Sequence, residues 1–308
     1  MIDLPASVTT QRPGASEAPA PERGTTGRWP MLLGGLLTVA MIVGIAGELL
    51  SSGLAGLTRS VPSDPLFYIA FALLYAALPV GDFIIFRKLW RIPASGLVAL
   101  NNKRIANDVV LGYSGEAYFY AWARARSRMV AAPFGAVKDV AILSAIAGNA
   151  ATLTMIVLAL PLGYGLLKPS EFNVLAGSTV IVVAMSLPFL IFARRVFSLA
   201  STTLWWVFGV HLGRIVLATG ALALAWHFAM PGVSVGMWLV LSAARLLTSR
   251  LPLVPNKDLL FANFAILLIG QGQALTNLMA FTAALTLAVH AVLIGVYGAY
   301  ALTKERIA

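Results

Sequence analysis

The chain has 308 residues, of which 59% are hydrophobic and only 11% are charged; its net charge is +10 and it contains no cysteine. A soluble domain carries roughly 25% charged residues, so the composition indicates a membrane protein. The lack of cysteine excludes disulfides, thiolate metal sites, cysteine nucleophiles and palmitoylation. Membrane topology and anionic lipid at a cytoplasmic face account for the positive charge, so we expect no nucleic-acid partner.

A polar N-terminal segment precedes a series of apolar runs. Residues 1–29 are rich in Pro, Ser and Thr, which predicts a disordered cytoplasmic tail. A helix needs about 20 apolar residues to cross a bilayer. We therefore predict an all-α, polytopic membrane helix bundle with about eight spans over residues 30–303, followed by a cytoplasmic tail at 304–308. The predicted spans are 31–51, 66–86, 139–164, 173–193, 204–228, 233–249, 258–275 and 278–302.

The basic residues predict the orientation of this bundle. When the N-terminus is placed in the cytoplasm, most Lys and Arg residues outside the spans fall on the cytoplasmic side, and only Arg59 and Lys168 fall on the other. Positive charge is enriched in cytoplasmic loops. The sequence therefore predicts that both termini are cytoplasmic.

The longest segment between predicted spans is 87–138, which this topology places on the cytoplasmic side. Its middle part, 95–112, mixes apolar and polar residues. Two arrangements stay open: the segment lies on the membrane surface, or it dips into the protein as a re-entrant element, which is tolerated where protein covers the backbone.

Polar residues with regular spacing follow within the same segment. A helix is predicted to begin near Ser114, whose side chain would cap it. Glu116, Tyr120, Arg124 and Arg128 recur every four residues and would share one face of that helix.

Guanidinium and phenol groups on one face are suited to binding a phosphate headgroup. Lys103, Arg104 and Tyr113 complete this candidate ligand site. The alternative is an interfacial helix with its aromatic residues at headgroup level and its arginines toward water.

Among the charged residues within or at the ends of predicted spans, Glu48, Asp82 and Arg214 stand out. Charges there are costly unless they are paired or hydrated, so they are candidates for function. Arg214 is a plausible partner for the acids, although snorkelling toward the interface is an alternative.

Two further candidates lie in the third predicted span. Asp139 suits a helix start electrostatically, with a basic ligand or pairing to Lys103 or Arg104 as alternatives. Asn149 either hydrogen-bonds a neighbouring helix or contacts a substrate.

Proline and polar residues interrupt the apolar sequence at both ends of the seventh predicted span. They suggest either a tight hairpin of spans or a broken, re-entrant pair of the kind that forms transporter sites; a polar outer loop is the further alternative. The residues concerned are Pro252, Pro255, Gln271, Gln273 and Asn277.

The remaining motifs point away from soluble-enzyme chemistry. His211, His227 and His290 lack metal-ligand spacing, and we expect them to be hydrogen-bonded structural residues. The sequence contains no phosphate-binding loop and no serine-nucleophile motif. We accordingly predict no catalytic residue, cofactor or metal.

The Gly115–Glu116 pair and the break formed by Leu251, Pro252 and Pro255 resemble motifs of the lysylphosphatidylglycerol synthase transmembrane-region family, the flippase-like membrane part without its catalytic domain. The resemblance covers about residues 31–302. Phe119 stands where the family often has an arginine, and after the break only Asp258 can stand for the family's acid.

The resemblance implies a multi-pass protein of the bacterial cytoplasmic (inner) membrane that moves a phospholipid or lipid-linked precursor between leaflets. Its partners would be membrane lipids, with a partner enzyme or a second copy of the chain as further alternatives. Two other functions stay open: an integral membrane transferase acting on a lipid phosphate, with Glu116 or Asp139 as acid or base, and a non-catalytic subunit of a lipid-modifying complex. Whether the protein is an enzyme is left undecided.

Overall fold

The computed structural model describes residues 61–110, 113–126, 133–163, 196–250 and 272–305, together with isolated residues in 32–43, 177–184 and 261–269. These parts of the chain are helical with short connections, and no strand occurs among them. The predicted all-α class is therefore confirmed. The seven helices with defined bounds are α1 (Pro65–Trp90), α2 (Gly96–Val109), α3 (Ser114–Arg124), α4 (Pro133–Gly163), α5 (Ser201–Ala229), α6 (Val235–Arg250) and α7 (Gly272–Glu305).

Four of these helices are long and apolar enough to cross a membrane: α1, α5, Phe134–Leu158 of α4 and Gly272–Ala299 of α7. They coincide with four of the predicted spans. The sixth predicted span is α6, an apolar helix of 16 residues, which is shorter than the roughly 20 residues a bilayer needs.

Three other predicted spans, 31–51, 173–193 and 258–275, lie outside the described residues apart from isolated positions. The total of eight spans and the orientation of the bundle consequently stay predictions. Exposed apolar side chains such as Ile69, Trp205 and Val292 cover the outside of the long helices, as a bilayer requires.

Helices α1 and α5 form an antiparallel pair at the centre of the bundle. Phe67, near the start of α1, shares a buried cluster with Trp226 near the end of α5. At the opposite end, the Lys88 ammonium lies 3.9 Å from the centroid of the Trp206 ring. The pairing of opposite ends fixes the antiparallel arrangement.

Capping residues define where α1 begins and ends. Asp64 Oδ1 accepts a hydrogen bond from Leu66 N at 2.8 Å, and Pro65 occupies the first helical position. Both are favoured at helix starts. The helix ends at Arg91, which has a φ of 52°.

The α2–α3 hairpin packs into the bundle. Ile105 and Ala106 of α2 are buried against Ala291 and Ile294 of α7. Lys103 of α2 reaches Asp82, which lies about 12 Å along the axis from the end of α1 at 1.5 Å per residue. Residues 96–109 therefore pack against other helices, and the position of this segment relative to the membrane surface stays a prediction.

Candidate functional site: a buried ion network

Four charged side chains from four helices meet beside the α2–α3 hairpin. Lys103 Nζ lies 2.6 Å from Asp82 Oδ2 and 3.3 Å from Glu116 Oε1, and Arg214 Nη1 lies 3.4 Å from Asp82 Oδ1. We call Asp82, Lys103, Glu116 and Arg214 the ion network. The predicted partnership of Arg214 with an intramembrane acid is thus confirmed for Asp82.

The ion network is charge-balanced and shielded from solvent. The side chains of Asp82, Lys103, Arg214 and Glu116 are 2%, 8%, 11% and 19% exposed. Two carboxylates offset two cations, so no net charge is buried, whereas removal of one partner would leave an uncompensated charge. Burial alone would lower the pKa of Lys103, but Asp82 and Glu116 more than offset it and raise that pKa above its ordinary value.

Small residues let Arg214 reach the network. A Cβ added at Gly81 would lie 2.7 Å from Arg214 Cδ, so the glycine leaves the space through which this side chain crosses α1. Arg214 Nη2 donates to Ser144 Oγ at 2.6 Å, which joins α4 to the same site. One turn earlier, His211 Nε2 donates to the Val140 carbonyl oxygen at 3.1 Å.

The tight approach of α3 to α2 depends on Gly115. A Cβ at this position would lie 1.9 Å from the Lys103 carbonyl oxygen. The Gly115 amide donates to Asn107 Oδ1 at 2.7 Å, so a side chain of α2 caps α3. This contact brings Glu116 beside Lys103.

The predicted capping role of Ser114 is wrong. The N-cap residue is Tyr113, in a left-handed conformation with a φ of 72°, and it makes no side-chain cap hydrogen bond. Ser114 is already helical, and its hydroxyl donates to the Ala106 carbonyl oxygen at 2.7 Å instead. Tyr113 itself is exposed.

The predicted polar face of α3 is divided between two sets of contacts. Glu116 belongs to the ion network, whereas Arg124 Nη1 donates to the Tyr120 hydroxyl oxygen at 2.9 Å. Arg128 lies outside the described residues. Phe119 is fully buried, with its ring centroid 4.5 Å from that of Phe86, so this position serves the core.

Arg104 belongs to a second polar cluster, formed by α1, α2 and α7. Its Nε lies 3.3 Å from Asp108 Oδ2, its guanidinium lies 4.0 Å from the centroid of the Tyr75 ring, and its Nη1 donates to the Tyr75 carbonyl oxygen. His290 Nε2 lies 3.6 Å from the same Asp108 oxygen. Arg104, Asp108, Tyr75 and His290 are called the Asp108 cluster below.

Two of the three predictions made for Asp139 are wrong, and the third, binding of a basic ligand, stays a prediction. Helix α4 begins at Pro133, so Asp139 lies in the second turn rather than at the helix start. It pairs with neither Lys103 nor Arg104; its Oδ2 accepts hydrogen bonds from the amides of Ser198 and Leu199 at 2.6 and 2.8 Å. The carboxylate therefore anchors the chain that leads into α5.

Other predicted residues do not belong to the ion network or lie outside the described chain. Asn149 is half-buried on α4, about 7.5 Å along the axis from Ser144, the residue that binds Arg214. Gln273 donates a hydrogen bond to Asn277 at 3.0 Å on an exposed part of α7. Helix α7 is continuous from Gly272, so the predicted break in the helix around Gln273 and Asn277 is wrong from Gly272 onward. The residues outside the described chain are Glu48, Leu251, Pro252, Pro255, Asp258 and Gln271.

Two of the three histidines have the predicted structural role. His211 and His227 each hydrogen-bond a backbone carbonyl oxygen, the latter that of Val233 at 2.9 Å. His290 differs, because neither of its ring nitrogens has a hydrogen-bond partner among the described residues.

Sequence reasoning did not single out Tyr75 or Asp108. The one local signal was the four-residue spacing of Arg104 and Asp108, which favours an ion pair on a helix.

Comparisons of the chain with protein-family models, with curated proteins and with solved structures found no significant match. The resemblance to the lysylphosphatidylglycerol synthase transmembrane region accordingly stays a prediction.

Proposed function

We propose that this protein binds the headgroup of a phospholipid or lipid-linked precursor at the ion network and moves it between the leaflets of a bacterial inner membrane. One observation carries the proposal: the α2–α3 hairpin holds Lys103 and Glu116 against Asp82 inside a bundle of long apolar helices. Ionisable residues at such positions are costly and mark substrate pathways.

The contacts suggest which part of the network exchanges with a ligand. The distance from Lys103 to Glu116 is 3.3 Å, longer than the 2.6 Å to Asp82, and Glu116 is the most exposed member. Glu116 Oε2 is also buried without a hydrogen-bond partner among the described residues. A headgroup with a phosphate and an amine could therefore replace this pair, with its phosphate on Lys103 and its amine on Glu116.

The remaining pair would keep the site assembled during this exchange. Asp82 stays bound to Arg214, and Arg214 stays bound to Ser144, so α1, α4 and α5 remain joined. The phosphate then offsets the charge of Lys103 and the amine offsets the charge of Glu116, so the buried site stays neutral. The proposal favours a zwitterionic or amine-bearing headgroup over a purely anionic one.

In the proposed topology both termini are cytoplasmic and the hairpin enters from the cytoplasmic side. The end of α1 next to the hairpin carries Arg87 and Lys88 in its last turn, as expected of a cytoplasmic end.

A vesicle assay tests this function. Purified protein is reconstituted into liposomes with acyl-chain-labelled phosphatidylethanolamine or phosphatidylglycerol, and label reaching the outer leaflet is followed by chemical quenching. The wild type should move phosphatidylethanolamine faster than protein-free vesicles, and Glu116→Gln should remove most of that rate. Asp64→Asn, which deletes a carboxylate remote from the site but keeps a good capping residue, is the matched control and should behave as wild type.

Two results would contradict the proposal: equal rates for every lipid tested, or a Glu116→Gln variant as fast as wild type. A converted lipid product would instead favour the transferase, which now depends on Glu116 because Asp139 is bound to two backbone amides.

The charge balance of the ion network also suits a non-catalytic subunit, in which the ions only hold the hairpin in place. Copurification with a stoichiometric partner, without any effect of lipid, would favour that function.

A further inference from the structure

The Asp108 cluster contains buried polar atoms that neither the fold nor the ion network uses. His290 is fully buried, and its two ring nitrogens and the Tyr75 hydroxyl have no hydrogen-bond partner among the described residues. The Tyr75 and His290 ring centroids are 5.5 Å apart. Buried polar atoms are normally paired, so three such atoms together indicate a site with a further role.

One carboxylate oxygen faces two different partners in this cluster. Asp108 Oδ2 lies 3.3 Å from Arg104 Nε and 3.6 Å from His290 Nε2. As a carboxylate this oxygen pairs with the guanidinium. Once protonated it can donate to a neutral imidazole nitrogen instead.

The two titratable partners differ in exposure. The Asp108 side chain is 45% exposed, whereas that of His290 is 1% exposed. A proton taken up by Asp108 would therefore arrive beside a buried histidine and tyrosine. Acid–histidine chains of this kind carry protons in membrane transporters.

We propose that Asp108 is a proton-binding residue whose protonation exchanges its Arg104 contact for a hydrogen bond to His290, and that this exchange couples proton uptake to substrate movement. The second clause rests on the proposed function; the first does not. Water supplies one proton, which binds to the Asp108 carboxylate oxygen. Arg104 then keeps its contacts to the Tyr75 ring and carbonyl oxygen.

The two polar sites lie on one short helix, which provides the physical link between them. Lys103 and Arg104 are neighbours on α2, so a change in the Arg104 contact acts on the helix that carries Lys103 into the ion network. The Arg104–Asp108 pair lies within α2, so its exchange for an Asp108–His290 hydrogen bond would change the contact between α2 and α7, and so change access to the headgroup site.

The charged and titratable groups around Asp108 come from each neighbouring helix: Tyr75 from α1, Arg104 from α2 itself, Arg245 from α6 and His290 from α7. Burial raises the pKa of Asp108 above its ordinary value, while Arg104 and Arg245 act in the opposite direction. The net upward direction supports protonation of Asp108 at a higher pH than an ordinary aspartate.

A direct titration tests the proton site independently of transport. Full-length protein in nanodiscs is labelled with ¹³C at the aspartate carboxyl, and the Asp108 signal is assigned by its loss in Asp108→Asn. Asp108 should protonate at a higher pH than an ordinary aspartate. In His290→Phe, which keeps an aromatic ring but removes the acceptor, proton affinity at Asp108 should fall on the order of fivefold, the worth of one hydrogen bond.

The matched control is His227→Phe, which removes an imidazole remote from the cluster and should leave the Asp108 titration unchanged. His290→Leu serves as a second acceptor-free variant if the phenylalanine disturbs folding. The proton site is overturned if Asp108 titrates at or below the pH of an ordinary aspartate. It is also overturned if the titration of Asp108 is unchanged, or moves to higher pH, in both His290 variants.

The coupling is tested in the vesicle assay with an imposed pH gradient. The gradient should change the wild-type rate severalfold and leave the Asp108→Asn rate unaffected. If Asp108 titrates with His290 but the wild-type rate ignores the gradient, the coupling is wrong and the proton site stands. If no lipid moves under any condition, the proposed function and the coupling both fail, and the titration still decides the proton site.

Discussion

At the scale of single residues, the site depends on the absence of two side chains as much as on the presence of four charges. Gly81 leaves space for Arg214, and Gly115 allows α3 to approach the backbone of α2. These glycines sit next to Asp82 and Glu116 in the sequence. Arg214 therefore reaches Asp82, and Glu116 reaches Lys103, because the residue before each acid has no side chain.

Substitution Gly115→Ala should destabilise the protein. The added Cβ would lie 1.9 Å from the Lys103 carbonyl oxygen, and a backbone atom cannot move aside cheaply. We expect a loss of about 1–3 kcal/mol in the free energy of unfolding, as in other overpacked sites. Thermal unfolding in detergent measures the effect.

Gly209→Ala is the matched control, because nothing lies within 4 Å of a Cβ at that exposed position of α5. Alanine is the better helix former by about 1 kcal/mol, so this variant should be as stable as wild type or slightly more stable. Equal behaviour of the two variants would contradict the close approach at Gly115.

Asp82→Asn should be the most damaging single substitution in the ion network, since Asp82 contacts both cations. Breaking a buried pair costs about 3–5 kcal/mol because the partner stays charged. In the double variant Asp82→Asn/Lys103→Met one of the stranded charges is removed, and part of the stability should return. Additive losses in the two single variants and the double variant would show that the residues are not coupled.

At the scale of helices, contacts between different helices hold the helix ends in position, and the local sequence does not predict these contacts. Asp139 was predicted from its neighbours to serve a helix start, yet it binds amides some sixty positions further along the chain. The same holds for Asn107, which caps α3 from α2. Such partners cannot be read from spacing, because they depend on how the helices pack.

Asp139→Ala should loosen the segment before α5 without unfolding the bundle. Its loss removes the acceptor of two backbone amides, at a cost of about 1 kcal/mol each because this segment is partly exposed. Hydrogen exchange should accelerate at Ser198 and Leu199. In the control variant Asp64→Ala, the acceleration of hydrogen exchange should instead be confined to the start of α1 near Leu66. Unchanged exchange at residues 198–199 in Asp139→Ala would contradict the anchoring role of Asp139.

At the scale of the whole molecule, the apolar runs predicted the long helices α1, α4, α5 and α7, because a bilayer imposes both their length and their composition. The pairing of Asp82 with Arg214 was accessible for the same reason, since two opposite charges at similar depth need each other. The role of Lys103 could not be predicted from the sequence, because Lys103 lies in a polar segment whose burial follows only from the packing of the α2–α3 hairpin.

The topology can be tested with single cysteines, since the chain has none of its own. Ser95 and Gly232 are exposed and lie near opposite ends of the α1–α5 pair, Ser95 shortly after the end of α1 and Gly232 shortly after the end of α5. In the proposed orientation, Ser95→Cys should react with an impermeant maleimide only from the cytoplasmic side, and Gly232→Cys only from the opposite side. Labelling of both from one side would contradict a bundle that spans the membrane in this orientation.

The central claim is that the ion network holds a lipid headgroup, and lipid retention tests it most directly. Wild type, Glu116→Gln and Asp64→Asn are purified in mild detergent, and their bound lipids are identified by mass spectrometry. The account predicts that wild type and Asp64→Asn retain one class of amine-bearing or zwitterionic lipid, and that Glu116→Gln loses it. The same lipid profile in all three proteins would contradict the claim.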